Sequence, residues 1–326
     1  MKHLVIPNGK INSMRLSHIG LGGMRMASDP QEGIRTIHAA LDAGVNFLNT
    51  GDFYSSGLID MIMGEAIKSH RREDIFISVK FGIMVSPDGR LYGIDNRPEH
   101  IKNYLTYTLK RLGTDYIDLY QLARIDPHIP IEDTVGAISE LVQAGYVKNI
   151  GLSQTDGTTL RRANSVHPVS LVEMQYSLLN REIEDDVLSM ARELGVGIVA
   201  YGVLLSGLIN NQSRDQKLSF INNRISSATA GKLEESLPLF DSLKEIADTK
   251  GITMAQLAVA WVLAQGDDII ALLGSRTREQ LHDSIKGSEV ELSTEELRKI
   301  EEIIPKSKTA GYSGMELNID KNGLFI

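Results

Sequence analysis

Cysteine is absent from the 326 residues, which removes disulfide frameworks, thiolate metal sites and a cysteine nucleophile from consideration. A cytoplasmic setting is the matching expectation. The opening MKHLVIPNGKINSM lacks the apolar stretch after a basic residue that marks a secretory leader. Nowhere does the chain reach the roughly 18 uncharged apolar residues that a membrane-spanning helix needs, so no membrane partner is expected. Positive charge is also short: 34 Lys and Arg stand against 42 Asp and Glu, a formal net charge of −8. The basic residues are scattered, so a nucleic-acid backbone would find no electrostatic footprint.

What is present suits a large core, since 42% of the residues are hydrophobic, enough for one barrel or for two ordinary domains. After an opening that reads as a hairpin around Asn8-Gly9, short aliphatic runs alternate with amphipathic segments. The expected strands are His18–Leu21, Asn46–Leu48, Ile75–Lys80, Tyr116–Leu122, Lys148–Leu152, Leu171–Met174, Gly197–Tyr201 and Ile269–Leu273. Helical patterns lie between them. Ile101, Leu105, Leu109 and Leu112 share one face, with Pro98 in the first turn and Gly113 past the end. Ile183, Val187, Leu188 and Leu194 repeat the pattern before Gly195, and Trp261 with Leu257, Val259 and Leu263 reads as a core helix.

Strand and helix alternate without a linker or composition shift, which points to an α/β fold with a parallel sheet wrapped by helices. Eight such units favour a closed (β/α)₈ TIM barrel over an open sheet, here as one domain over residues 1–326. Two insertions, Phe81–Asn96 and Gly202–Lys232, follow strands and so belong at the C-terminal mouth, where substrate loops sit. Ser293-Thr294-Glu295-Glu296 reads as a capping box for an extra C-terminal helix, followed by a Gly- and Ser-containing tail.

Two strand ends carry chemistry. The second expected strand runs into Asn49-Thr50-Gly51-Asp52-Phe53-Tyr54, and the third ends in Val79-Lys80-Phe81. A lysine ammonium beside a tyrosine stabilises the phenolate and lowers its pKa, so Tyr54 with Lys80 reads as a general acid with its tuner. The same two residues read equally as a rim lysine and a tyrosine packed under a loop. Ile19-Gly20-Leu21-Gly22-Gly23 lacks the G-x-G-x-x-G spacing of a dinucleotide fingerprint and suits close backbone approach instead. His70, His100, His128 and His282 follow no metal-ligand spacing, so no metal is expected.

The segments Asn49–Ser55, Ile77–Lys80, Asp118–Ala123, Ile150–Ser153, Gln175–Leu178, Ala200–Tyr201 and Leu273–Arg276 together resemble the aldo-keto reductase superfamily. Its pattern is D-T-A-x-x-Y-G after the second strand, V-x-T-K after the third and D-L-Y-x-x-H after the fourth. The similarity runs in order through essentially the whole chain. It implies NADPH-dependent reduction of an aldehyde or ketone carbonyl, with Tyr54 as proton donor and Lys80 as its partner. It further implies that Ser153 and Glu173 meet the nicotinamide carboxamide, Glu173 standing where the family has a glutamine, that Gln154 belongs to the cofactor site, and that Tyr201 stacks on the ring. Gly23, Met24, Gly202, Leu204, Ser206 and Gly274 would line the cofactor. Ser275, Arg276 and Gln280 would receive the adenosine phosphate and adenine, with Asp283 near the adenine amino group; Arg276 carries the preference for NADPH/NADP+ over NADH.

Two departures stand out. The family's Asp-Tyr-Lys-His set appears here as Asn49, Tyr54, Lys80 and Ala123. An asparagine hydrogen-bonds a lysine without neutralising it, so Lys80 is expected to press a stronger positive field on Tyr54. Ala123 is expected to leave room beside Tyr54 for a water or a bulkier substrate, with Asp52 and Arg124 in the same pocket. Asp52 is the candidate replacement for the missing charge. Tyr120-Gln121-Leu122-Ala123-Arg124-Ile125-Asp126-Pro127 resembles the pyridoxal reductase and pyridoxine 4-dehydrogenase-like branch. A rival reading, motivated by the altered set, is an NADP(H)-binding sensor or regulatory subunit without turnover.

Overall fold

The computed structural model describes residues 3–4, 15–26, 28–209, 227–275 and 277–309, with the side chains of residues 206, 227–236 and 308 left aside. In chain order the strands are β1 (Ile19–Gly22), β2 (Phe47–Gly51), β3 (Phe76–Phe81), β4 (Ile83–Val85), β5 (Leu91–Ile94), β6 (Ile117–Leu122), β7 (Val147–Ser153), β8 (Val169–Gln175), β9 (Gly197–Tyr201) and β10 (Ile269–Gly274). Eight of them close into a parallel barrel in the order β1-β10-β9-β8-β7-β6-β3-β2. Around it run α1 (Pro30–Asp42), α2 (Leu58–Ile67), α3 (Pro98–Leu112), α4 (Ile131–Gln143), α5 (Gly157–Val166), α6 (Val187–Leu194), α7 (Ser227–Lys250), α8 (Met254–Leu263), α9 (Arg278–Ile285) and α10 (Thr294–Ile303). None of the described helices is long and apolar enough to cross a membrane.

All eight expected barrel strands are present. Strand β2 runs past its expected end at Leu48 to Gly51, because Asn49 continues the inward alternation begun by Phe47 and its polarity belongs to the barrel interior. Helix punctuation follows the sequence: Pro98 opens α3 and Gly113 closes it at φ 64°. Ile183 lies in a separate 3₁₀ turn, so α6 starts only at Val187. The capping box at Ser293 and Glu296 opens α10, and Thr253 with Gln256 makes another at α8. The Asn8-Gly9 turn and the tail from residue 310 lie outside the described residues; His3 and Ser17 form an antiparallel bridge.

Side chains on a strand alternate between faces, and here that alternation divides the interior into two levels. Phe47, Phe76, Leu119, Leu171, Val199, Ile270 and Leu272 pack together with Leu16 in one buried cluster that fills the N-terminal half of the barrel. Two residues further along the same strands, the inward positions become Asn49, Ser78, Gln121, Glu173 and Tyr201, and Lys80 follows Ser78. A second, larger cluster between sheet and helices includes Ile37, Ile59, Ile101, Leu105, Ile138 and Leu257. Each such side chain contributes about 1.5–3 kcal/mol over its exposed state.

The first insertion is ordered rather than irregular: β4 and β5 pair as an antiparallel hairpin. Gly82 starts it at φ +91°, where a Cβ would stand 2.3 Å from Asn96 Oδ1. The second insertion is shorter than the sequence implies, since α7 begins at Ser227 within the segment read as loop to Lys232. Its Ala, Lys, Leu and Glu content favours helix; residues 210–226 lie outside the described residues.

Candidate active site

The exit from β2 is clamped before it delivers Tyr54. Thr50, facing outward, donates its hydroxyl to Asp60 at 2.9 Å, and Asp60, fully buried at the start of α2, receives Arg111 of α3 through Nε at 2.9 Å and Nη2 at 2.8 Å. This joins β2, α2 and α3 at one point. Tyr54 is followed by Ser55 at φ 47°, Ser56 at φ 53° and Gly57 at φ 89°, three left-handed residues in succession. Outside glycine that conformation costs about 1–2 kcal/mol per residue, and it turns the chain back into α2 with Tyr54 half-buried at the barrel mouth.

Beneath Tyr54 the polar level of the interior forms one network. Lys80 is 4% exposed, Glu173 3% and Asn49 1%. The Lys80 ammonium donates to Asn49 Oδ1 at 2.5 Å and to Glu173 Oε1 at 2.8 Å and Oε2 at 3.1 Å, and it lies 5.3 Å from the centre of the Tyr54 ring. Asn49 Nδ2 and Gln121 Nε2 each donate to Glu173 Oε2 at 2.7 Å. The same two amides donate to Ser78 Oγ, at 3.2 and 3.0 Å. Ser78 and Gln121 are not among the site residues expected from the motifs that contain them; the signal that places them here is the period-2 run from Phe76 and Leu119.

The expected bare charge on Lys80 is therefore corrected. Glu173, from the opposite side of the barrel, neutralises it, because strand closure brings β2, β3 and β8 to one axis. The pKa expectation for Tyr54 is corrected as well: burial lifts its phenol above the ordinary range, and the opposing pull of Lys80 is partly cancelled by the Glu173 charge. Tyr54 is thus held protonated. For Lys80, burial is the largest influence and pulls downward, but Glu173 and Tyr54 together outweigh it, leaving the ammonium above its ordinary value. Asp52 does not replace the missing charge. Its backbone N–H donates to Lys80 O at 2.9 Å, while its carboxyl is pushed up to about 8, first by burial and then by the Asp60 charge, which keeps it mainly neutral at pH 7.

Ala123 does not leave a space. It is 1% exposed and packs with Ile83, Ile94 and Phe53, so the β4–β5 hairpin fills the position with hydrocarbon. Arg124 follows it, half-buried, with Nη1 donating to Ala123 O at 2.7 Å; its charge acts on Tyr201, whose phenol burial pushes up and Arg124 pulls back.

The remaining candidates cluster at the same strand ends. Ser153 ends β7 as the register partner of Glu173. Gln154, held at φ 51°, donates its amide to the Tyr201 hydroxyl while its backbone N–H reaches Glu173 O at 3.1 Å. Gly23 bonds Asn49 O at 2.8 Å, Met24 is exposed, and Gly202 at φ +74° leads through Leu204 into a 3₁₀ turn holding Ser206. Gly274, exposed at the end of β10, has nothing within 4 Å of where a Cβ would stand. Ser275 is buried and donates to Thr277 O at 2.7 Å, Arg276 lies outside the described residues, and Gln280 is exposed in the first turn of α9. Asp283 instead faces α8, accepting Thr253 Oγ1 at 3.0 Å and Gln256 Nε2 at 2.8 Å.

The chain that carries this arrangement has relatives among known proteins. The "Probable aldo-keto reductase 1" of Glycine max is 35% identical over 315 residues, covering 92% of this chain and 90% of its own. Among solved structures, the glycerol dehydrogenase of Gluconobacter oxydans superposes with a TM-score of 0.80 at 26% identity, covering 93% of this chain and 94% of that one. A thermostable aldo-keto reductase in complex with the inhibitor epalrestat gives 0.75 at 27% identity, with 93% and 100% covered. The holo form of an aldo-keto reductase from Bacillus halodurans gives 0.75 at 25%, with 93% and 96% covered. The model of the aldo/keto reductase family matches residues 18–305, and this chain belongs to that family of oxidoreductases.

Proposed function

We propose that the chain reduces an aldehyde or ketone carbonyl to the alcohol with NADPH, Tyr54 giving the proton to the carbonyl oxygen. The observation that carries this is the Tyr54 phenol, protonated and half-open at the mouth above the buried Lys80–Glu173 pair. The residues present suit a dinucleotide. Ser153 and Gln154 offer polar groups beside the Tyr201 ring, Gly274 leaves open backbone, and the Thr277-capped start of α9 favours an anion. Arg276 is the proposed partner of a 2′-phosphate.

When bound, the reduced nicotinamide supplies the hydride. Tyr54 orients the carbonyl by hydrogen bonding, which polarises it toward attack. As negative charge grows on the oxygen, the Tyr54 proton moves to it, and Lys80 stabilises the phenolate left behind. The apolar wall of Ile83, Ile94 and Phe53 over Ala123 excludes water from that side.

Loss of reduced-nicotinamide absorbance with pyridoxal, aromatic aldehydes and dicarbonyls tests the reading; cofactor binding without turnover on any carbonyl would refute it. Arg276→Ala should weaken NADPH about 10- to 100-fold and leave NADH nearly unchanged, as loss of one charge-assisted contact implies. Equal weakening of both cofactors would remove that assignment.

A further inference from the structure

We infer that Glu173 is the working counter-ion of Lys80, so that among the described residues the negative charge paired with Lys80 lies on β8 and Asn49 and Glu173 form an interchangeable pair. The inference rests on Tyr54 being the proton donor, as proposed above. Taking an ammonium out of water costs several kcal/mol, which neutral amides do not offset. Lys80 has three N–H donors; those given to Asn49 and Glu173 meet one amide oxygen and one carboxylate. Only the carboxylate balances the charge.

The neutral neighbours are arranged around that carboxylate. Asn49 turns its oxygen to Lys80 and its nitrogen to Glu173 Oε2. Gln121 sends its nitrogen to Glu173 and to Ser78, and its own Oε1 stays buried with no partner among the described residues. An unpartnered buried carbonyl is costly; it is tolerated here because the amide's donors are drawn to the anion.

Since Asn49 and Glu173 both bond Lys80 and also bond each other at 2.7 Å, the carboxylate can in principle stand at either position with the same net charge. Aspartate at 49 would accept from Lys80 and from a glutamine amide at 173. Either change alone breaks the balance. Asn49→Asp sets two carboxylates 2.7 Å apart where an amide now donates, and Glu173→Gln leaves a buried cation among amides. The proton shared by Tyr54 and Lys80 is a property of the pair. Removing an anion beside the pair makes that proton easier to lose, and adding one makes it harder, whichever group releases it.

The test compares Glu173→Gln, Asn49→Asp and the double variant by two readouts. One is the alkaline limb of kcat/KM with NADPH. The other is the phenolate absorbance of the cofactor-free protein, taken as the difference between each variant and its Tyr54→Phe counterpart, which needs no turnover. Glu173→Gln should move both to lower pH by about 1–3 units, Asn49→Asp should move them to higher pH, and the double variant should return to the wild-type position. A double variant displaced as far as Glu173→Gln alone, or a Glu173→Gln protein with an unmoved titration, would overturn the inference. Should Glu173→Gln not fold, the double variant decides: a wild-type titration supports the exchange and a displaced one refutes it. Phenolate shifts as expected in a protein that turns over no carbonyl would uphold the counter-ion and fail the reductase reading instead.

Discussion

Replacing Ala123 with histidine would remove one of the two departures from the family's four-residue set, and the structure says that the chain will not accept it freely. Ala123 is 1% exposed and its methyl group already meets Ile83, Ile94 and Phe53. An imidazole adds a ring to a filled site, and overpacking of this kind costs about 1–3 kcal/mol. At about 2–4 °C per kcal/mol for a large domain, Ala123→His should lower the thermal midpoint by several degrees. Ile94→Ala alone should cost about 2–5 kcal/mol through its cavity. Combined with Ala123→His, the cavity receives the ring, so the double variant should be more stable than the sum of the two losses by about 0.5–3 kcal/mol. Thermal unfolding followed by circular dichroism, at one protein concentration and scan rate, reads all three. An Ala123→His protein as stable as the parent would refute the packing argument and show that the position is open.

Asp52 titrates at about 8 in the folded protein, against its ordinary 3.8, so the folded state holds this proton more tightly and stability falls as pH rises from about 4 toward 8. Asp52→Asn should therefore leave the urea midpoint nearly unchanged near pH 4 and raise stability by on the order of 1–3 kcal/mol above pH 8; an equal effect at both would contradict the burial account. Glu296 is lowered from 4.5 to about 2, first by its bond from Lys250 and then by the Ser293 backbone, so its contribution is present above about pH 4.5 and disappears as pH falls toward 2. Glu296→Gln should cost about 1–2 kcal/mol at neutral pH, discounted for partial exposure, and the variant and parent should converge near pH 2; a constant gap across that range would contradict this. Gly82→Ala should destabilise the hairpin strongly, since its Cβ would stand 2.3 Å from Asn96 Oδ1; an unchanged thermal midpoint would show that the hairpin shifts without cost.

Local signals carried the barrel. Each strand is a short aliphatic run with its own alternation, and helix ends such as Pro98 and Gly113 act on their immediate neighbours, so both were legible without knowledge of the partners. Segments whose polarity misleads were harder. Asn49 extends β2 because it faces a polar barrel interior, and the β4–β5 hairpin forms by packing Ile83 and Ile94 on Ala123, a residue distant in the chain. The same divide separates the candidate site. Tyr54 and Lys80 could be named from two strand ends, but the partner of Lys80 comes from Glu173, 93 positions away, and the clamp on Asp60 from Arg111, 51 positions away. Barrel closure alone brings such pairs together. Reading Glu173 by family position gave it to the cofactor, whereas its bonds in this chain go to Lys80, Asn49 and Gln121.

The central claim is that the Tyr54 hydroxyl supplies the proton, and single-turnover reduction by the Tyr54→Phe protein loaded with NADPH measures it directly. The account predicts a fall in the rate of cofactor oxidation of about 10²- to 10⁴-fold with the dissociation constant for NADPH little changed, because the hydroxyl acts on the substrate oxygen. A Tyr54→Phe protein that reduces the carbonyl at the wild-type rate would contradict it.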